Sequence, residues 1–131
     1  MKPVALVTGA GRGIVRGIAL ALATAGFDLA LLDLARDADA EATLAGVAAA
    51  GSAATFVAAD IADLEAQRSA IDAAWTATGG IDCLVNNAGV SVAHRGDMLD
   101  VSPESFDLVL GINLRGHFFL TQALARRMVA D

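Results

Sequence analysis

Val4-Ala5-Leu6-Val7-Thr8-Gly9-Ala10-Gly11-Arg12-Gly13-Ile14-Val15-Arg16-Gly17-Ile18 is the stretch that decides the fold. Val4 to Thr8 is a short apolar run, as a strand buried on both faces requires. Gly9, Gly11 and Gly13 then interrupt it. From Ile14, apolar residues recur every four positions at Ile18 and Leu22, which predicts one face of a helix running to Ala25, closed by Gly26. In a strand, glycine turn and helix of this kind, the glycines let backbone N–H groups approach a phosphate, and the helix N-terminus favours the negative charge. Glycine-rich turns also serve as plain tight turns, so the loop alone leaves both readings open.

The pattern repeats outward from this unit. Leu29 to Asp33 reads as a second strand, and Asp39 to Ala50 as an Ala-rich helix closed by Gly51. Ala54 to Ala58 is a third strand. Asp63 can cap a helix to about Thr78, with Leu64, Ile71 and Trp75 inward, ended by Gly79-Gly80. Ile81 to Val85 is a fourth strand. A polar loop runs to about Val101. Ser102-Pro103 then starts a helical stretch reaching Asp131, with a break near Asn113. Strands alternating with helices imply right-handed crossovers and a parallel sheet, here in the order 3-2-1-4 with helices on both faces. The last helical stretch is apolar on more than one side, through Leu108, Ile112, Leu114, Phe118, Phe119, Leu120, Leu124 and Met128. One stripe faces the sheet; the remainder needs further sheet layers or a second subunit as cover.

Composition narrows the function. The 131 residues suit one domain, and 56% are apolar against 18% charged. A net charge of −6, with nine scattered basic residues, argues against a nucleic-acid partner. Cys83 is the single cysteine, which leaves no internal disulfide and no cysteine-built metal cage. The apolar start is broken at Thr8-Gly9, too early for a signal sequence, and no run approaches the roughly 20 residues of a membrane span. No His, Asp and Glu cluster has metal-ligand spacing. The expectation is a cytoplasmic protein without metal or membrane contact. Cys83 and Trp75 read as core residues, His94 as a solvated loop residue and His117 as a helix-surface or interface residue.

The spacing of the glycines is specific. G-x-G-x-x-G fails: counted from Gly9 its third glycine falls on Ile14, and counted from Gly11 on Arg16. The pattern T-G-x-x-x-G-x-G fits at Thr8, Gly9 and Gly13 and departs at its last glycine, which is Val15. There a β-branched side chain fills space beside any ligand. Asp33 ends the second strand, where a carboxylate can accept hydrogen bonds from a ribose and repels a 2′-phosphate. Arg12 pulls the other way, since it can pair with such a phosphate. A capping Asp and a solvated Arg are the plain alternatives. Asp60 follows the third strand, Asn86-Asn87-Ala88-Gly89 follows the fourth, and Gly111-Ile112-Asn113-Leu114-Arg115-Gly116 lies in the last helical stretch.

On these residues the chain, from Lys2 to Met128, resembles the short-chain dehydrogenase/reductase family, and most of all its 3-oxoacyl-acyl-carrier-protein reductases and sugar-dehydrogenase-like members. The resemblance implies an α/β, Rossmann-type doubly wound parallel sheet, cut after about four strands. It implies an NAD(P) site: pyrophosphate over Thr8, Gly9, Gly11, Arg12, Gly13 and Ile14, adenosine between Asp33, Asp60 and Ile61, and the nicotinamide ribose near Asn87, Ala88 and Gly89. NAD is favoured by Asp33, and NADP by Arg12. Asn86 would tie the central strands together. Asn113 matches the Asn of the family's catalytic Asn-Ser-Tyr-Lys set, which positions a proton-relaying water.

The other three catalytic groups have no counterpart. There is no tyrosine, and the single lysine is Lys2. The expected whole is therefore an incomplete domain over residues 1–131, catalytically silent alone. Its full-length parent would transfer hydride between nicotinamide and a ketone or secondary alcohol as small-molecule substrate, and would form a homo-oligomer through the last helix. A non-catalytic nucleotide-binding or interaction module is the alternative. The open edge of the fourth strand and the apolar last helix favour the first reading, since a free-standing module should cover them. A Rossmann-type methyltransferase would share the glycine loop and Asp33 but give Asn-Asn-Ala-Gly and Asn113 no role.

Overall fold

The computed structural model describes residues 1–9, 11 and 13–130. Four strands form one parallel sheet: β1 (Val4–Thr8), β2 (Asp28–Asp33), β3 (Ala54–Ala58) and β4 (Cys83–Val85). Their order is β3-β2-β1-β4, as expected. Helices α1 (Ile14–Thr24), α2 (Ala38–Ala49) and α3 (Leu64–Thr78) connect the strands, and α4 (Pro103–Leu110) and α5 (His117–Ala130) follow. Crossover handedness is nearly invariant, so reversing direction after β3 sends α3 to the sheet face opposite α1 and α2.

Alternation along the strands builds two cores. Val4, Leu6, Ala30 and Leu32 pack with Ile71, Ala74, Leu120 and Leu124 from α3 and α5. Ala5, Val7, Leu29 and Leu31 pack with Val15, Ala19, Ala23 and Val47 from α1 and α2. Both faces of β1 and β2 are covered, which is why Val4 to Val7 and Leu29 to Leu32 are apolar without interruption. Cys83 packs against the second core and Trp75 against the first, where the Arg127 guanidinium lies 5.0 Å from the indole ring.

Three expectations change. The inward face of α1 is Val15, Ala19 and Ala23, one residue on from the Ile14, Ile18 and Leu22 stripe. Small side chains let the helix backbone lie close to the sheet, and Ile14 is left 77% exposed. The inward face of α3 is Gln67, Ala70, Ile71 and Ala74, with Leu64 and Trp75 only half-buried beside it. The basic residues are also less scattered than the sequence implies: Arg68, Arg126 and Arg127 border one groove between α3 and α5, with Asp72 paired to Arg127.

Asp63 and Ser102 cap helices where the sequence places them, and Asp37 caps α2 ahead of the expected start at Asp39. Asp37, Asp63 and Ser102 each accept a backbone N–H of the first turn of α2, α3 and α4. The helix is not broken near Asn113. It widens into a π-helical turn over Gly111–Gly116 that links α4 to α5 without interruption. The turn presses on the loop after β3. A Cβ on Gly116 would lie 2.9 Å from both the Gly111 and the Ile61 carbonyl oxygens. No helix among the described residues is long and apolar enough to cross a membrane. Beyond the core, Phe106, Leu108, Leu114 and Phe118 leave more than half of their surface open.

Replacing Gly116 by Ala should overpack this contact and lower stability by roughly 1–3 kcal/mol in a urea titration. The same change at Gly96, where an added Cβ meets nothing within 4 Å, serves as reference. Equal stabilities for the two variants would show that the turn yields freely.

Candidate functional site: the cleft at the carboxyl ends of the strands

Parallel pairing brings the strand ends to one level. Thr8 stands opposite Leu32, Asp33 opposite Ala58, and Val7 opposite Val85. The loops that leave these ends surround a cleft of about 250 Å³. It opens where the strand order reverses, the position at which doubly wound sheets bind ligands. Of the residues expected to hold a dinucleotide, Gly9, Gly11, Asp33, Asp60, Ile61, Asn87, Ala88 and Gly89 line it. Thr8, Gly13 and Ile14 are not among the described lining residues, and Arg12 lies outside the described residues.

Thr8 works from beneath. Its side chain is fully buried, and its Oγ1 accepts the backbone N–H groups of Asn87 and Ala88, each at 3.0 Å. The same hydroxyl donates to the Val85 carbonyl at 3.3 Å. The glycine loop and the Asn-Asn-Ala-Gly turn are thereby joined. Gly9 donates its N–H to the Leu32 carbonyl at 2.7 Å and holds φ at 78°, a conformation that favours glycine. A Cβ there would meet Ala88 Cα at 3.2 Å. At Gly9 the wall of the cleft is therefore bare backbone.

Gly13 is the N-cap of α1 and makes no side-chain cap bond, and the first turn of α1 carries no acidic residue. Its first N–H groups are left for an anion from outside the helix. Val15, the departure from the glycine pattern, is only 4% exposed; it packs in the core beneath α1 and also reaches the cleft wall.

Two carboxylates stand beside the ends of β2 and β3. Asp33 accepts the Leu34 N–H on Oδ1 at 2.7 Å, and its Oδ2 lies toward Gly11. Asp60 accepts the Ala62 N–H at 2.9 Å. Arg36, which sequence reasoning passed over, follows β2 but is held by Glu41 at 2.5 Å. Its hydrogen bond to Glu41, reinforced by the carboxylate charge, holds the guanidinium above its usual pKa.

On the far side, Asn113 pairs with Val90 in both directions. Its Oδ1 accepts the Val90 N–H and its Nδ2 donates to the Val90 carbonyl, both at 2.8 Å. Asn86 does not tie the central strands; Thr8 does. The Asn86 amide reaches α5 instead, donating to Thr121 Oγ1 at 2.8 Å, with its Oδ1 3.1 Å from His117 Nδ1. His117 Nε2 meets the Ala88 carbonyl, so His117 backs the turn. Its position in the sequence carries no mark of this contact. Gln67 was also missed: it is buried, and its amide donates to the Ile61 and Gly116 carbonyls.

Known proteins resemble this chain in sequence and fold. Residues 3–131 match the family model of short chain dehydrogenases. The chain is 41% identical to L-2,3-butanediol dehydrogenase of Corynebacterium glutamicum, over 97% of this chain and 49% of that protein. It is 42% identical to sepiapterin reductase of Chlorobaculum tepidum, over 95% of this chain and 52% of the relative. Among solved structures, 3-oxoacyl-acyl-carrier-protein reductase from Brucella melitensis in complex with NAD superimposes with a TM-score of 0.93 at 46% identity, covering 99% of this chain and 50% of that one. The chain thus spans about half the length of the relatives it matches.

The Thr8 hydroxyl can be tested directly. Thr8→Val keeps the shape and strands two donors and an acceptor, and should lower stability by roughly 2–3 kcal/mol in urea unfolding. Thr8→Ser should retain most of it. Equal losses in the two variants would show that the methyl group, not the hydroxyl, matters. With the match over residues 3–131 and this geometry together, the chain belongs to the short-chain dehydrogenase family.

Proposed function

We propose that this chain is the dinucleotide-holding half of an NAD(P)-dependent oxidoreductase that moves hydride between nicotinamide and a ketone or secondary alcohol. The observation that carries the reading is the gathering in one cleft of Gly9, Gly11, Asp33, Asp60, Asn87, Ala88 and Gly89, residues drawn from the ends of all four strands. The uncapped start of α1 and the bare backbone at Gly9 fit a pyrophosphate. In this reading Gly13 and Ile14 act through their backbone N–H groups, so the exposed Ile14 side chain is no obstacle. Arg12 is assigned to the same loop. Asp33 takes the adenosine ribose, Asp60 and Ile61 flank the adenine, and Asn87, Ala88 and Gly89 border the nicotinamide ribose. Asp33 repels a 2′-phosphate and Arg36 is engaged by Glu41, so the preferred cofactor is NAD over NADP.

When bound, the nicotinamide gives or accepts the hydride. The chain's own residues supply binding and alignment. Asn113, assigned to the family's catalytic set, acts here as a positioning residue, because Val90 engages both ends of its side chain. Reduction of a carbonyl also needs a proton donor within hydrogen-bond reach. The chain has no tyrosine, and Lys2 lies at the opposite ends of the strands, donating to the Gly51 carbonyl at 2.6 Å.

We therefore assign residues 1–131 to an incomplete catalytic domain. Substrate binding and the proton donor belong to its full-length parent, a cytoplasmic homo-oligomer without nucleic-acid or membrane partners. The open apolar surface of Leu114 and Phe118 supports assembly through the last helix.

The isolated chain should show no NADH oxidation above background with a panel of ketones; a measurable rate would refute the assignment of the missing groups. Calorimetry should find NAD bound more tightly than NADP. The reverse order would sink the role given to Asp33.

A further inference from the structure

We infer that Gln67 is a positioning residue that ties the adenosine end of the cleft to the π-helical turn carrying Asn113. The inference rests, for its functional meaning, on the cofactor reading above.

Gln67 stands in the first turn of α3, just after the Asp63 cap, yet it faces inward and is 1% exposed. Burying an amide is costly unless its hydrogen bonds are met. Here its Nε2 donates both protons, one to the Ile61 carbonyl and one to the Gly116 carbonyl at 2.7 Å. The two acceptors belong to different parts of the site. Ile61 follows Asp60, and both line the cleft. Gly116 ends the π-helical turn that holds Asn113.

The surroundings leave little alternative to this bridge. Gly116 has no room for a side chain, because the Ile61 carbonyl oxygen lies 2.9 Å and Ile61 Cγ1 lies 3.2 Å from where its Cβ would stand. The turn and the loop after β3 touch at this point, and each presents a carbonyl oxygen to the one Gln67 nitrogen. An amide NH₂ supplies two N–H bonds from one nitrogen. Leucine or methionine at position 67 would fill the space but supply neither N–H. Beyond Gly116, Asn113 grips both backbone groups of Val90, which also lines the cleft. A continuous path therefore runs from Ile61 through Gln67, Gly116 and Asn113 to Val90. Gln67 itself is not among the described cleft-lining residues, so its effect must pass through this path.

Amide hydrogen exchange on the 131-residue chain tests the role without any ligand. The readout is the exchange rate of the Val90 N–H, which Asn113 holds, relative to that of Leu31 in β2. Gln67→Met keeps the volume and removes both donors; Gln67→Glu keeps the shape and removes the paired N–H donors. Each should raise the Val90-to-Leu31 ratio at least about tenfold. An unchanged ratio in both variants, with or without a general rise across the core, would overturn the inference. If Gln67→Met unfolds, the Gln67→Glu ratio alone decides.

Calorimetry with NAD on the wild-type chain separates the two readings. Wild-type binding together with an unchanged exchange ratio leaves the cofactor site standing and removes Gln67 from it. Absence of wild-type binding refutes the cofactor reading, while a raised ratio still places Gln67 between the two elements.

Discussion

The Thr8 hydroxyl is the point on which the site depends. A parallel sheet aligns its strand ends but does not by itself hold the loops that leave them. Thr8 closes β1 with one donor and two acceptor positions, and all are used: Val85, Asn87 and Ala88 meet there. Asn87 and Ala88 then stand beside the glycine loop closely enough that a Cβ on Gly9 would crowd the Ala88 Cα. A threonine suits the position because its methyl group tolerates burial in a strand while its hydroxyl meets the backbone groups beyond the last ladder bond. The rest of the cleft is laid out from this junction.

A second constraint comes from the opposite wall. The π-helical turn brings Asn113 to Val90 while α5 continues along the same axis toward the core residues Leu120 and Leu124. A regular α-helix would set these groups at a different angle, since the widened turn inserts an extra residue. Helical π-turns are rare and tend to mark functional positions. Gly111 and Gly116 flank the one seen here, and Gly116 is where the turn touches the loop after β3. Packing and site geometry therefore share one contact.

Much of the fold was legible in the order of residues. Strand positions, the 3-2-1-4 order and the caps at Asp63 and Ser102 follow from short apolar runs, glycine punctuation and cap chemistry. Eight of the expected site residues line one cleft because the motifs sit at strand ends, which parallel pairing brings together. The faces of α1 and α3 were less legible. Hydrophobicity marks Ile14, Ile18 and Leu22, but closeness to the sheet selects Val15, Ala19 and Ala23. Gln67 reads as a solvent-facing helix residue until its two acceptors, six and forty-nine positions away, are seen beside it.

What the sequence determined by itself is the nature of the chain: a parallel α/β unit with a glycine-rich loop after its first strand, a terminal carboxylate on β2 and no tyrosine. These depend on local spacing and residue type, which are visible in one dimension. Only the tertiary structure decided which side chains act on which. It moved the strand tie from Asn86 to Thr8, directed Asn113 to Val90, and set His117 behind Ala88. Those pairings join residues far apart in the chain, and a hydrogen bond forms only where folding brings donor and acceptor within about 3 Å.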